Sequence, residues 1–167
     1  HKDGGYLIKD KEGSVTAKDL IPVYQGLNAE FNLLYLEDPL GEDDWDGWQS
    51  INAVTSHSTI IVGDDLTTTN YKRLETAIHK KAIGGIIIKP NQIGTVIESL
   101  AVVEAAKHAG LKVIASHRSG ETNDDFIADF AVAINADYAK MGAPARGERV
   151  AKYNRLLEIE TMLTPSG

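Results

Sequence analysis

The sequence predicts a parallel α/β fold of about five βα units, on three observations. Short apolar runs recur along the chain, an ionisable residue follows each one, and amphipathic segments fill the intervals. The runs are 33–36 before Glu37, 59–62 before Asp64, 85–88 before Lys89 and 112–115 before His117, with a weaker stretch around Tyr138 before Lys140. The marked residues stand 27, 25, 28 and 23 positions apart. That is the length of one strand, one helix and two loops, which predicts repeated right-handed crossovers.

Taken in order, the intervals carry helix signals. From Thr16 to Phe31, residues Leu20, Val23, Tyr24, Leu27 and Phe31 share a face, and Thr16 with Asp19 forms an N-cap pair. Asp44 is placed to cap a helix that holds Trp45 and Trp48 as packing residues, in an acidic loop where Glu42, Asp43 and Asp46 face solvent. Asn70 caps a helix with Leu74, Ala77 and Ile78, and the alanine-rich run from Thr95 to Ala109 stops at Gly110. A further helix is expected near Asp124 to Ala131. At the carboxyl end Val150, Tyr153, Leu156, Leu157 and Met162 or Leu163 recur at helical spacing before Pro165.

Strands alternating with helices, with a titratable side chain at the end of strand after strand, follow the plan of a TIM-type barrel, whose active site lies at that end. A closed barrel takes eight units and about 250 residues. Five units in 167 residues make an incomplete barrel. The chain is therefore expected to be a single unit, 1–167, that is part of a longer polypeptide or pairs with a separately encoded one.

Composition sets further bounds. With 43% hydrophobic and 25% charged residues the chain can bury a substantial core. No apolar run approaches the roughly 20 residues that span a bilayer, and the first residues lack a signal-peptide pattern, so no membrane association is expected and a cytoplasmic location is the default. The absence of cysteine excludes disulfides and thiolate metal sites. A net charge of −7 argues against a general nucleic-acid surface, and an anionic substrate would need a locally positive pocket.

Several strand-end residues suggest chemistry. Glu37 and Asp64, on successive strands, suit a hard cation such as Mg²⁺. Lys89 would emerge from the dry run Ile86-Ile87-Ile88, where it serves either as a solvent-facing end or as a general base. Lys140, two strand ends further on, adds a second cation, and two cations facing two carboxylates suit a metal-bound anionic substrate. The segment Ser116-His117-Arg118-Ser119-Gly120-Glu121-Thr122 is either a polar turn capping the next helix or a phosphate grip. His57, His79 and His108 read as structural or solvated.

From about Leu34 to Glu160 the sequence resembles the enolase family. The motifs are Leu36-Glu37-Asp38-Pro39 with Glu42-Asp43-Asp44-Trp45, Val62-Gly63-Asp64-Asp65-Leu66-Thr67 with Thr69-Asn70, Lys89-Pro90-Asn91-Gln92-Ile93-Gly94-Thr95, Ser116 to Thr122 with Phe126-Ile127-Ala128-Asp129, and Gly142-Ala143-Pro144-Ala145-Arg146 through Ala151-Lys152-Tyr153-Asn154. Pro90, second in its run, resembles the archaeal form.

The resemblance implies the carboxyl-terminal part of an enolase-type barrel and Mg²⁺-dependent dehydration of 2-phosphoglycerate to phosphoenolpyruvate, in glycolysis and gluconeogenesis. It implies Glu37 and Asp64 as Mg²⁺ ligands, Lys89 as the base at carbon 2 and Lys140 as a stabiliser of the resulting charge. The substrate would also touch Glu37, His117, Arg118 and Ser119, the last two on the phosphate. Intact members of the family form homo-oligomers, dimers or octamers, so association is expected by resemblance.

The departures also matter. The family's third metal-binding aspartate precedes a Lys-Asp-Gly turn that corresponds here to Lys2-Asp3-Gly4, before which too little sequence stands to include it. The amino-terminal capping domain, the first barrel strands and the general-acid glutamate have no counterpart either, so the chain alone is expected to be inactive. Around Lys140, Asp137-Tyr138-Ala139 and Met141 replace the usual Gly-Gln-Ile and Thr. The competing expectation is a non-catalytic enolase-like fragment kept for binding or assembly. A relative acting on another carboxylate is disfavoured by the 116–122 turn.

Overall fold

The computed structural model describes residues 5–9 and 13–164; the Lys2-Asp3-Gly4 turn and Pro165 lie outside them. In chain order the elements are α1 (Ala17–Phe31), β1 (Tyr35–Glu37), α2 (Trp45–Thr55), β2 (Ile60–Gly63), α3 (Tyr71–His79), β3 (Gly85–Ile88), α4 (Pro90–Ile93), α5 (Val96–His108), β4 (Lys112–Ser116), α6 (Phe126–Ala133), β5 (Tyr138–Lys140) and α7 (Gly147–Leu163). The five strands pair in parallel and in sequence order, forming an open half-barrel. Each crossover between consecutive strands carries at least one helix.

The caps explain where several helices begin. The Asp19 carboxylate accepts from both the backbone N–H and the hydroxyl of Thr16 at the start of α1. Asp44 accepts from Gly47 N at 3.0 Å ahead of α2, Asn70 accepts from Lys72 and Arg73 N ahead of α3, and Thr95 accepts from Glu98 N ahead of α5. Each satisfies a backbone donor that the first turn leaves without an intrahelical partner. The short α4 escapes the sequence reading. Pro90 opens it, where a missing N–H costs nothing, and left-handed Gly94 closes it one turn later.

Alternation along the strands splits the apolar residues into two layers. Ile61, Ile86, Ile88, Val113 and Ala115 face the helices and join Trp48, Ile51, Leu74 and Val102 in the main core. Val62, Ile87 and Ile114 face the other way and form an inner cluster with Tyr35, Ile60 and Tyr138. Trp48, fully buried, donates its indole N–H to Gly41 O at 2.9 Å.

The first strand begins two residues later than the apolar run 33–36 suggests. Asn32 ends α1 in the left-handed region (φ 51°), and the chain uses Leu33 and Leu34 to turn into the sheet, leaving Leu34 exposed. In α1 the expected apolar face is split. Leu20 and Tyr24 pack on the core, whereas Val23, Leu27 and Phe31 point outward. The last helix is split similarly. Tyr153 and Leu156 pack on the core as expected, with Lys152 and Ile159 buried beside them, while Leu157, Met162 and Leu163 are exposed. Among the described residues no helix is long and apolar enough to cross a membrane.

Candidate functional site at the carboxyl rim

The two-residue period of a strand decides which strand-end side chains meet. Glu37 shares its side of the sheet with Tyr35, Asp64 with Val62, Lys89 with Ile87 and Lys140 with Tyr138, all members of the inner layer. The four therefore rise from the same concave face at the carboxyl ends of β1, β2, β3 and β5.

They form two ion pairs. Lys89 Nζ donates to Asp64 Oδ2, with both side chains largely buried. Lys140 Nζ donates to Glu37 Oε1 at 2.5 Å. This second contact joins the first strand to the last, 103 residues apart. Across a flat sheet, strands four intervals apart lie about 19 Å from each other, farther than the two side chains reach, so the pair exists because the sheet curls. Burial lowers the Lys140 ammonium's pKa, but the hydrogen bond and charge of Glu37, with the charge of Asp64, outweigh it and hold it above the usual lysine value.

Backbone contacts fix these residues from behind. Lys89 N donates to Thr69 Oγ1 at 2.9 Å, and Thr69, fully buried, also donates to Gln92. Asp38, to which the sequence reading gave no role beyond its place in the Leu36 to Pro39 motif, belongs to the rim. Its left-handed backbone (φ 42°) turns the carboxylate onto the next strand end, where it accepts from Asp64 N and Asp65 N at 2.9 Å each. Burial raises the Asp38 pKa and the charges of Asp64 and Asp65 raise it further, against the two N–H donors. The remaining acidic loop is as expected. Asp43 pairs with Arg73 and Asp46 with Lys80, both at the surface.

The turn at 116–122 leaves β4 beside this rim. His117 N donates to Lys140 O at 2.9 Å, which ties the turn to the end of β5. The imidazole Nδ1 is buried without a hydrogen-bond partner. Burial lowers the His117 pKa, Glu121 opposes this, and Arg149, Lys140 and Lys152 add to the lowering, so the neutral ring is favoured. Arg118 reaches Asn91 Oδ1 at 3.4 Å and borders a 410 Å³ cleft between this turn and the α4 region, while Ser119 is exposed beside it. His57, His79 and His108 lie at the surface, away from the rim.

Comparison with known proteins decides the lineage. The family described as "Enolase, C-terminal TIM barrel domain" matches residues 3–167. The chain belongs to the enolase family. It is 48% identical to the enolase of Aeropyrum pernix, 49% to that of Acidothermus cellulolyticus and 50% to that of Elusimicrobium minutum, each over 98% of the chain. It spans only 37% to 38% of the length of these enolases.

The enolase family uses metal ions. Glu37, Asp38 and Asp64 each bring a carboxylate oxygen within 4.8 Å of the others, and Asp64 Oδ1 is buried with no hydrogen-bond partner. An all-oxygen set with one buried carboxylate oxygen unused fits a hard divalent cation such as Mg²⁺. Sequence reasoning named Glu37 and Asp64 but overlooked Asp38, whose part depends on a positive φ that no local pattern announces. It also overlooked Lys152, whose signal was present, since Lys152 shares an i, i+4, i+7 stripe with Leu156 and Ile159.

Proposed function

We propose that this chain supplies the carboxyl-terminal part of a phosphopyruvate hydratase site, which dehydrates 2-phosphoglycerate to phosphoenolpyruvate. The observation that carries the reading is the convergence of two lysines and two carboxylates on one concave rim in an enolase-family chain. Glu37 and Asp64 would hold Mg²⁺, with Asp38 orienting the Asp64 loop. The bound cation would neutralise the substrate carboxylate and make the adjacent carbon 2 more acidic.

In this reading Lys89, as the free amine, takes the proton from carbon 2 and becomes an ammonium facing Asp64. Lys140, charged and braced by Glu37, opposes the negative charge that builds on the substrate carboxylate. Arg118 and Ser119 hold the phosphate, and neutral His117 lies against the substrate. As hydroxide leaves carbon 3, the pair released at carbon 2 becomes the new double bond. The acid that assists this departure would come from the amino-terminal portion, in cis or in trans.

The test is phosphoenolpyruvate formation from 2-phosphoglycerate with Mg²⁺, using the chain alone and mixed with the amino-terminal portion of an enolase. The chain alone is expected to be inactive and the mixture active, with activity lost in Lys89→Ala. An inactive mixture favours a binding or assembly role, and full activity of Lys89→Ala removes the role of Lys89.

A further inference from the structure

Lys152 is the largest fully buried charged side chain among the described residues, and the chemistry proposed above makes no use of it. A lysine without exposed surface is uncommon, because its ammonium must exchange water for protein acceptors at each N–H. Here three acceptors meet the three donors: Thr122 O at 2.8 Å, Glu148 O at 2.7 Å and Glu121 Oε2 at 2.7 Å. Two of the three belong to the 116–122 turn. The other oxygen of Glu121 accepts from the backbone N–H of Arg118 at 2.6 Å. One carboxylate thus joins α7 to the backbone of the residue assigned to the phosphate. Burial raises the Glu121 pKa, but Lys152 and the Arg118 amide outweigh it and keep the carboxylate ionised.

Resting on the phosphate reading of this turn, we propose that Lys152 and Glu121 are positioning residues: Lys152, from α7, fixes Glu121, and Glu121 fixes the Arg118 backbone in the conformation that grips an anion. Lys152 itself does not line the cleft, whereas Glu121, Thr122 and Arg118 do. Its influence on an anion therefore passes through the carboxylate. Stability alone does not call for an ion at this position. A buried ion pair is commonly replaceable by apolar residues without loss, and the neighbours on the same stripe, Leu156 and Ile159, would accept one. A charge at position 152 does what an apolar side chain cannot, which is to orient a carboxylate that in turn orients a backbone donor.

The experiment titrates inorganic phosphate, then 2-phosphoglycerate, into the full chain and follows the Arg118 and Ser119 amides by ¹H–¹⁵N correlation spectra. The unmodified chain should show saturable shifts at both amides, with the Arg118 amide proton already at low field from its bond to Glu121. In Lys152→Met the low-field position should be lost and phosphate affinity should fall about tenfold or more, while the dispersion of the core amides is kept. Glu121→Gln retains an acceptor for Arg118 but loses the ion pair, so its affinity should fall between the two. It also decides the matter if Lys152→Met does not fold. Unchanged phosphate affinity and Arg118 shift in the folded variants, whatever their melting temperatures, would overturn the positioning role. Absence of phosphate binding by the unmodified chain would instead overturn the reading of the turn, and this proposal with it.

Discussion

Thr68 and Thr69 sit side by side in the left-handed region, with φ of 47° and 54°. For β-branched residues this is an outlying conformation that costs on the order of 1–3 kcal/mol each, and such strain gathers where a site needs it. What it achieves here is specific: the buried Thr69 hydroxyl is turned onto the backbone N–H of Lys89. Thr69→Val keeps the shape but leaves that N–H without its acceptor, and urea denaturation should show a loss of about 1–3 kcal/mol. Thr69→Ser, which retains the oxygen and drops one methyl, should lose about 1 kcal/mol. His117 offers a second check. Its folded pKa is depressed, so the contribution to stability is complete above the unfolded value of 6.5 and is lost as pH falls through the folded value. An imidazole titration by NMR should place its midpoint below 6.5, and a midpoint above that value would contradict the buried neutral ring.

At the scale of elements, the rim depends on how each strand hands over to its loop. After β5 the chain turns at Gly142, whose φ of 76° suits glycine and strains any residue that carries a Cβ. A Cβ there would lie 2.6 Å from Arg149 Cδ, and the Gly142 carbonyl accepts from Tyr153 of α7. Gly142→Ala should therefore destabilise by more than about 1 kcal/mol. It should also perturb the Lys140 amide, two residues upstream, more than amides in α2, and uniform shifts across the molecule would refute this local account. Elements were also the part most legible in the sequence. Asp44 and Asn70 cap helices where the sequence places them, because a cap is a contact between residues two or three apart. The end of α1 was harder to read. Leu33 and Leu34 look like strand residues, but the left-handed Asn32 spends them on the turn.

For the whole molecule, stability resides between the sheet and its helices rather than on the outer surface. Trp48 is fully buried and hydrogen-bonded, and Trp48→Ala should cost about 3–5 kcal/mol. Phe31, 61% exposed at the end of the outward stripe of α1, touches little of this core, so Phe31→Lys should change the unfolding free energy by about 0.5 kcal/mol or less. Comparable losses for the two would mean that the stripe is packed in solution. The sequence by itself determined the five units, their order and the identity of the residue at each strand end. Strand alternation, helical period and cap chemistry are short-range rules, and a parallel sheet repeats them. Only the tertiary structure decided that Asp38 turns onto the Asp64 loop across 26 residues, that Lys152 is buried against a turn 30 residues before it, and that Lys140 meets Glu37 across 103. Each depends on the curl of the sheet or on which face of a helix packs inward, and both are set by contacts between segments remote in the chain, beyond the reach of local pattern.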